Sequence, residues 1–152
     1  MTQEDKELLL KDICSRLPYG VKLQHVKNTK SIVELYSIDL DDFYYKIQFY
    51  TYKGKALTAS DEGKLLKPGG MLRYKPCLSP LSNMTDEQKR EVTDRWGINE
   101  NFNFEIDPDW GKYFVELSDA LGFINWCYEN HLDINGLIPK GLANDATNLN
   151  IY

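Results

Sequence analysis

The sequence predicts an α+β fold, an antiparallel β-meander or small curled barrel packed by an N-terminal helix and a long C-terminal helix. Three patterns carry this expectation. Near the start, Leu9, Leu10, Ile13, Cys14 and Leu17 recur at helical spacing. In residues 43–52, Phe43, Tyr45, Ile47, Phe49 and Thr51 alternate with Tyr44, Lys46, Gln48, Tyr50 and Tyr52, the period of two that a strand imposes on its two faces. Further on, Phe114, Leu117, Leu121, Ile124 and Tyr128 step by threes and fours, which is the spacing of one helix face.

The first helix is expected from Thr2, a capping hydroxyl, to about Arg16. Leu17-Pro18-Tyr19-Gly20 ends it, because proline disfavours helical geometry in the residue before it and glycine permits a reversal. Residues 21–27 and 31–38 are short β-prone runs joined at Asn28-Thr29-Lys30, and Asp39-Leu40-Asp41-Asp42 turns the chain into the strand at 43–52. Three successive strands with short turns imply a meander. Lys53-Gly54-Lys55 leads to Ala56, Leu57 and Thr58, and residues 60–70, rich in Gly, Lys and Asp, read as a loop. A last strand is expected at 71–75, stopped by Pro76, followed by a connector to Met84.

Thr85-Asp86-Glu87-Gln88 fits a capping box, with two acids at the positive end of the helix dipole, and opens a helix to about Trp96 anchored by Val92 and Trp96. Its sparse apolar content places it at the surface. Phe102, Phe104 and Ile106 alternate with Asn103 and Glu105 as one more short strand before the turn Asp107-Pro108-Asp109. The long helix spans residues 112–130, widened by Phe123 and Trp126, and Leu137, Ile138, Leu142 and Ala143 after Asn135-Gly136 predict a short final helical turn before a polar tail.

With 152 residues, 42% hydrophobic and 27% charged, the chain matches one folded domain over residues 1–152. The net charge of −5, evenly mixed, provides no field to draw the protein onto duplex DNA or an anionic membrane. The polar, acidic start and the absence of a run of about 20 apolar residues predict a cytoplasmic protein that does not enter the membrane. Cys14, Cys77 and Cys127 are widely spaced and predict reduced thiols, with Cys14 and Cys127 as small hydrophobes on the inner faces of their helices.

No catalytic or cofactor motif emerges, and no cofactor or metal is expected. His25 and His131 lack metal-ligand spacing. Cys127, four residues before His131, would need a nearby base or positive charge to become a nucleophile, and its place beside Trp126 on an apolar stripe favours a core role. Asp39, Asp41 and Asp42 lack the glycine and terminal glutamate of a calcium loop, and Asp107 and Asp109 fit capping. Lys67-Pro68-Gly69-Gly70 shares only its glycines with a phosphate loop.

The feature that stands out is one face of the strand at 43–52, where Tyr44, Tyr50 and Tyr52 interleave with Lys46, followed by Lys53 and Lys55. Aromatics on a sheet stack bases while lysines meet phosphates, and the same pattern forms protein-binding patches. The competing expectation is burial under a helix with the hydroxyls at the rim.

Three blocks also carry a resemblance. They are Leu8-Leu9-Leu10-Lys11-Asp12-Ile13-Cys14-Ser15-Arg16-Leu17-Pro18-Tyr19-Gly20-Val21, then Tyr74-Lys75-Pro76-Cys77-Leu78-Ser79-Pro80-Leu81-Ser82-Asn83-Met84-Thr85, and then Phe123-Ile124-Asn125-Trp126 running through His131, Asp133 and Gly136-Leu137-Ile138 to Lys140-Gly141-Leu142-Ala143. Together they resemble an uncharacterised family of small proteins common in Bacteroides and related gut bacteria, often among phage-like genes. The resemblance implies a bacterial cytoplasm and a prophage or other mobile element, and it brings no activity, cofactor or catalytic residue. The functional expectation is a non-catalytic interaction protein with a protein partner. The alternatives are a single-stranded nucleic-acid binder and a small hydrolase or transferase using Cys127 and His131.

Overall fold

The computed structural model describes residues 1–40, 45–51, 60–64, 72–98 and 117–152, with backbone alone for 39–40, 45–51 and 60–64. Helix α1 (Gln3–Arg16) starts at Thr2, whose hydroxyl accepts the Asp5 N–H while the Asp5 carboxylate accepts the Thr2 N–H. This reciprocal pair satisfies two donors that a helix start leaves open. A 3-10 turn over Leu17–Tyr19 follows, and Gly20 reverses the chain at φ 67°. A side chain there would be strained by that φ and would press its Cβ to 3.1 Å from Glu34 Oε1.

Six strands follow the order β4-β3-β2-β1-β5-β6, with β1 Lys22–His25, β2 Ile32–Leu40, β3 Tyr45–Thr51, β4 Ser60–Lys64, β5 Tyr74–Leu78 and β6 Asn144–Asp145. The first three form the expected antiparallel meander, and β4 extends it. The sheet stays open and mixed and does not close into a barrel, because β5 returns to pair with β1 and β6 joins β5 in parallel.

Two strand expectations change. Residues 60–64, expected as loop, form β4 by backbone pairing with β3, although Ser60-Asp61-Glu62-Gly63-Lys64 has no apolar alternation to announce a strand. Pro76, expected to end its strand, lies inside β5 opposite Leu23. Val26 N–H donates to Arg73 O, so two-residue alternation makes Leu23 and Pro76 a non-hydrogen-bonded pair, while β6 pairs only from Cys77 onward. The missing proline N–H therefore costs no ladder bond.

The core face of β2 changes parity. Val33 and Leu35 are buried, yet the next inward residue is Ile38, because the β2–β3 register shifts between Leu35 and Ser37. A one-residue bulge at Tyr36 absorbs the three-residue step, as an extra residue on one strand must.

Two cores result. In the first, Leu9 and Ile13 of α1 pack on Val21, Leu23, Val33, Leu35 and Leu78, closed by Leu137, Leu142 and Ala143. In the second, Met84, Val92 and Ile98 meet Trp126, Cys127 and Leu132. The second core joins α2 (Asp86–Trp96), which carries the expected Thr85–Gln88 capping box, to α3 (Leu117–Glu129). Trp96 packs edge-on against Phe123 at 5.9 Å between centroids, and Gly122 leaves room for its indole.

Three further expectations are corrected. Cys14 is exposed, because α1 buries Leu9, Asp12, Ile13 and Arg16 instead. Leu117 and Leu121 of the expected α3 stripe are 75% and 51% exposed, since α2 and the turn after α3 meet the helix through Phe123, Trp126 and Cys127. The expected final helical turn is an aspartate-organised turn in which Asp133 accepts the Leu137 and Ile138 N–H groups at 2.7 and 2.8 Å. The expectations for residues 41–44, 52–59, 65–71 and 99–116, including Asp41, Asp42, Phe102, Phe104, Ile106, Asp107, Asp109 and Phe114, lie outside the described residues.

Leu9→Ala, which opens a hole in the first core, is expected to lower unfolding free energy by about 3 kcal/mol. Leu121→Ala, on the exposed side of α3, is expected to cost about 0.5 kcal/mol or less. Urea denaturation of the two variants checks the assignment of the α3 face.

Candidate functional site

Of the tyrosine–lysine face, Tyr44, Tyr52, Lys53 and Lys55 lie outside the described residues, while Lys46 and Tyr50 are placed in β3 by backbone register. Leu35 pairs with Phe49 and Ile38 with Ile47, so the odd positions of β3 share the core face and positions 46, 48 and 50 share the opposite one. Across that opposite face the register sets out three rows. Lys22, Glu34, Tyr50 and Ser60 form the first, Ser37, Gln48 and Glu62 the second, and Asp39, Lys46 and Lys64 the third.

Acidic and basic positions are balanced over these rows, and Lys22 Nζ lies 3.5 Å from Glu34 Oε2. The bulge adds a residue that the sequence reading missed. Tyr36, released from the inward-outward alternation, is 57% exposed. Its signal in the sequence is the odd-to-even jump from Leu35 to Ile38 within one strand.

A second group of polar side chains, also missed, lies inside the protein. Arg16, with no exposed surface, donates from Nε to Asp12 Oδ1 at 2.7 Å and from Nη2 to Asp12 Oδ2 at 3.1 Å. Nη2 also donates to Leu132 O at 2.7 Å, and the guanidinium sits 4.9 Å from the Tyr128 ring centroid. Asn135 Nδ2 donates to Asp12 Oδ2 at 2.8 Å, so the carboxylate is well supplied with donors. The available signal was an acid and an arginine four residues apart, Asp12 and Arg16, set among Leu9 and Ile13.

Next to this pair, the His131 imidazole stacks on the Tyr152 ring with centroids 3.9 Å apart. The Tyr152 hydroxyl donates to Cys77 O at 2.9 Å and accepts the Lys22 N–H at 3.0 Å. Burial pushes that phenol well above its ordinary pKa.

The same burial works against thiol chemistry. Cys127 is pushed up to about 12 by desolvation, against which the Arg16 charge acts, and Cys77 to about 11. His131 is lowered to about 4 by desolvation first, then by the charges of Arg16 and Lys22. A nucleophilic cysteine needs the thiolate and a general base needs a pKa near the working pH; Cys127 and His131 are displaced in the opposite senses. Among the described residues no three His, Cys, Asp or Glu side chains gather into a metal-holding group, and no helix is long and apolar enough to cross a membrane.

The structure thus defines a small α+β protein with an open mixed sheet, a polar cluster inside it and a mixed-charge outer face. Compared with known families, curated proteins and solved structures, the chain matches none.

The depressed His131 pKa sets a pH dependence of stability. The unfolded chain takes up the histidine proton near pH 6.5 and the folded one only near pH 4, so stability is retained above about pH 6.5 and is lost as pH falls toward 4. The expected loss from this group is about 3 kcal/mol. His131→Asn, which keeps a residue tolerant of the φ of 53° but removes the titration, is expected to flatten this part of the profile. Urea unfolding at pH 7, 5.5 and 4.5 for both proteins measures it.

Proposed function

We propose that this chain is a non-catalytic binding protein that takes a protein partner on the outer face of the β1–β4 meander. The observation that carries the reading is the pattern of that face, where Lys46 and Lys64 alternate with Glu34, Asp39 and Glu62 around Tyr36 and Tyr50, Glu34 being paired with the largely buried Lys22. Tyrosines supply contact area at small entropic cost, and a balanced charge pattern selects a partner by complementarity rather than by bulk attraction. The high pKa values of the buried thiols Cys77 and Cys127 support a role without covalent chemistry. The resemblance to gut-bacterial, phage-associated proteins favours a partner in the bacterial cytoplasm, made by the host or by a mobile element.

Single-stranded nucleic acid is the second reading, favoured by Lys46 opposite Lys64 in the row next to Gln48 and near Tyr50. Asp39 and Glu62 on the same face weigh against it, because a phosphate backbone meets them unfavourably.

Replacing Tyr36 and Tyr50 together by Ser is expected to weaken capture of the partner from bacterial extract by about tenfold or more. The urea midpoint should stay close to that of the unaltered protein. Undiminished capture would remove this face from consideration. Titration of the protein with labelled single-stranded oligonucleotide at low and high salt separates the two readings. Binding that weakens steeply with salt would move the assignment to nucleic acid, and no binding at low salt would leave the protein partner.

A further inference from the structure

Among the described residues, two buried side-chain atoms have no hydrogen-bond partner, Arg16 Nη1 and His131 Nδ1. The two residues are linked through Leu132. Arg16 donates through Nη2 to the carbonyl of Leu132, the residue after His131, and the Arg16 charge bears on the His131 ring. The other guanidinium nitrogens are occupied, and the His131 ring is covered by Tyr152, itself tied at the hydroxyl to Lys22 and Cys77.

Arg16 Nη1 only donates. His131, held neutral by its surroundings, keeps one nitrogen lone pair, and with the proton on Nε2 that lone pair is on Nδ1. A ligand serving both atoms must then accept at one end and donate at the other. A halide or a carboxylate only accepts. It would also bring a second negative charge next to Asp12, which already offsets Arg16, into a region where an unpaired charge is strongly disfavoured. A neutral hydroxyl group has the required chemistry, and buried water is the form in which proteins ordinarily use it.

We propose that Arg16 Nη1 and His131 Nδ1 hold a single internal water molecule between them, under the Tyr152 ring, as a fixed part of the folded protein. The water accepts from the guanidinium and donates to the imidazole, which sets the Nε2–H tautomer of His131.

A crystal structure of the full chain grown in bromide is the first test. Expected is one peak within hydrogen-bond distance of both nitrogens, without bromide anomalous signal. A bromide peak there, a direct Arg16–His131 contact or a gap without density would each overturn the proposal. Nitrogen-15 NMR of the histidine side chains at pH 7 is the independent arm. The expected pattern for His131 is the Nε2–H tautomer with a hydrogen-bonded Nδ1, and an Nδ1–H tautomer would overturn the proposal equally. Counting long-lived internal waters by oxygen-17 relaxation dispersion should then show one fewer in His131→Phe than in the unaltered protein; an unchanged count in the folded variant would count against it.

Discussion

The buried pair of Asp12 and Arg16 is the constraint on which the rest of the molecule depends. Both side chains have no exposed surface, and a charge taken out of water is tolerated only when it is paired and fully hydrogen-bonded. Arg16 goes most of the way to that demand through Nε and Nη2, reaching from the end of α1 to the carbonyl of Leu132, and Asp12 accepts from both Arg16 and Asn135. Helix α1 is thereby locked to the turn after α3. Leu132 places its side chain in the second core while its carbonyl satisfies a residue of the helix that packs on the first. The same turn grips the end of β5, because Ser79 donates to His131 O and accepts from Asp133 N–H. One ion pair and one turn therefore hold two separate apolar clusters in a single arrangement.

That arrangement also sets the protonation of the titratable groups around it. Cys77, Cys127 and His131 are buried and the half-exposed Tyr152 covers the His131 ring, and desolvation moves each group toward its neutral form. Two thiols are held protonated and an imidazole is held neutral at pH 7. The charged positions of the meander lie on its face turned away from the first core. There the bulge at Tyr36 keeps two inward-facing runs, Val33 with Leu35 and then Ile38, in register with β3 across a break in parity. The cost of the extra residue is a local loss of ladder pairing, and the result is a tyrosine turned to solvent beside alternating charges.

Local chemistry was the most legible layer. The caps at Thr2 and Thr85, the stop at Pro18 and Gly20, the meander and the alternation of the third strand follow from hydrogen bonding and backbone sterics within a few residues of each feature. The candidate face was legible in part. Lys46 and Tyr50 fall in the strand and on the side that their spacing implies, whereas Tyr36 shows only as the odd-to-even jump from Leu35 to Ile38, which becomes a bulge once β3 fixes the register. The buried cluster was least legible, because Asp12 and Arg16 look like an ordinary surface pair on a helix until Leu132 and Asn135, more than a hundred residues away, are brought against them.

By itself, then, the sequence determined the helices α1 and α2 with their caps, the first three strands, and that helices pack on a meander. The tertiary structure alone decided which weakly patterned segments pair and which part of an apolar stripe is inside. β4 is a strand because β3 offers it a ladder, Pro76 survives in β5 because its neighbours ask nothing of its nitrogen, and α3 turns Trp126 and Cys127 inward because α2 and the following turn meet it there. Periodicity reports how side chains are spaced along one element, but burial depends on which elements approach it, and that is a property of the assembled chain.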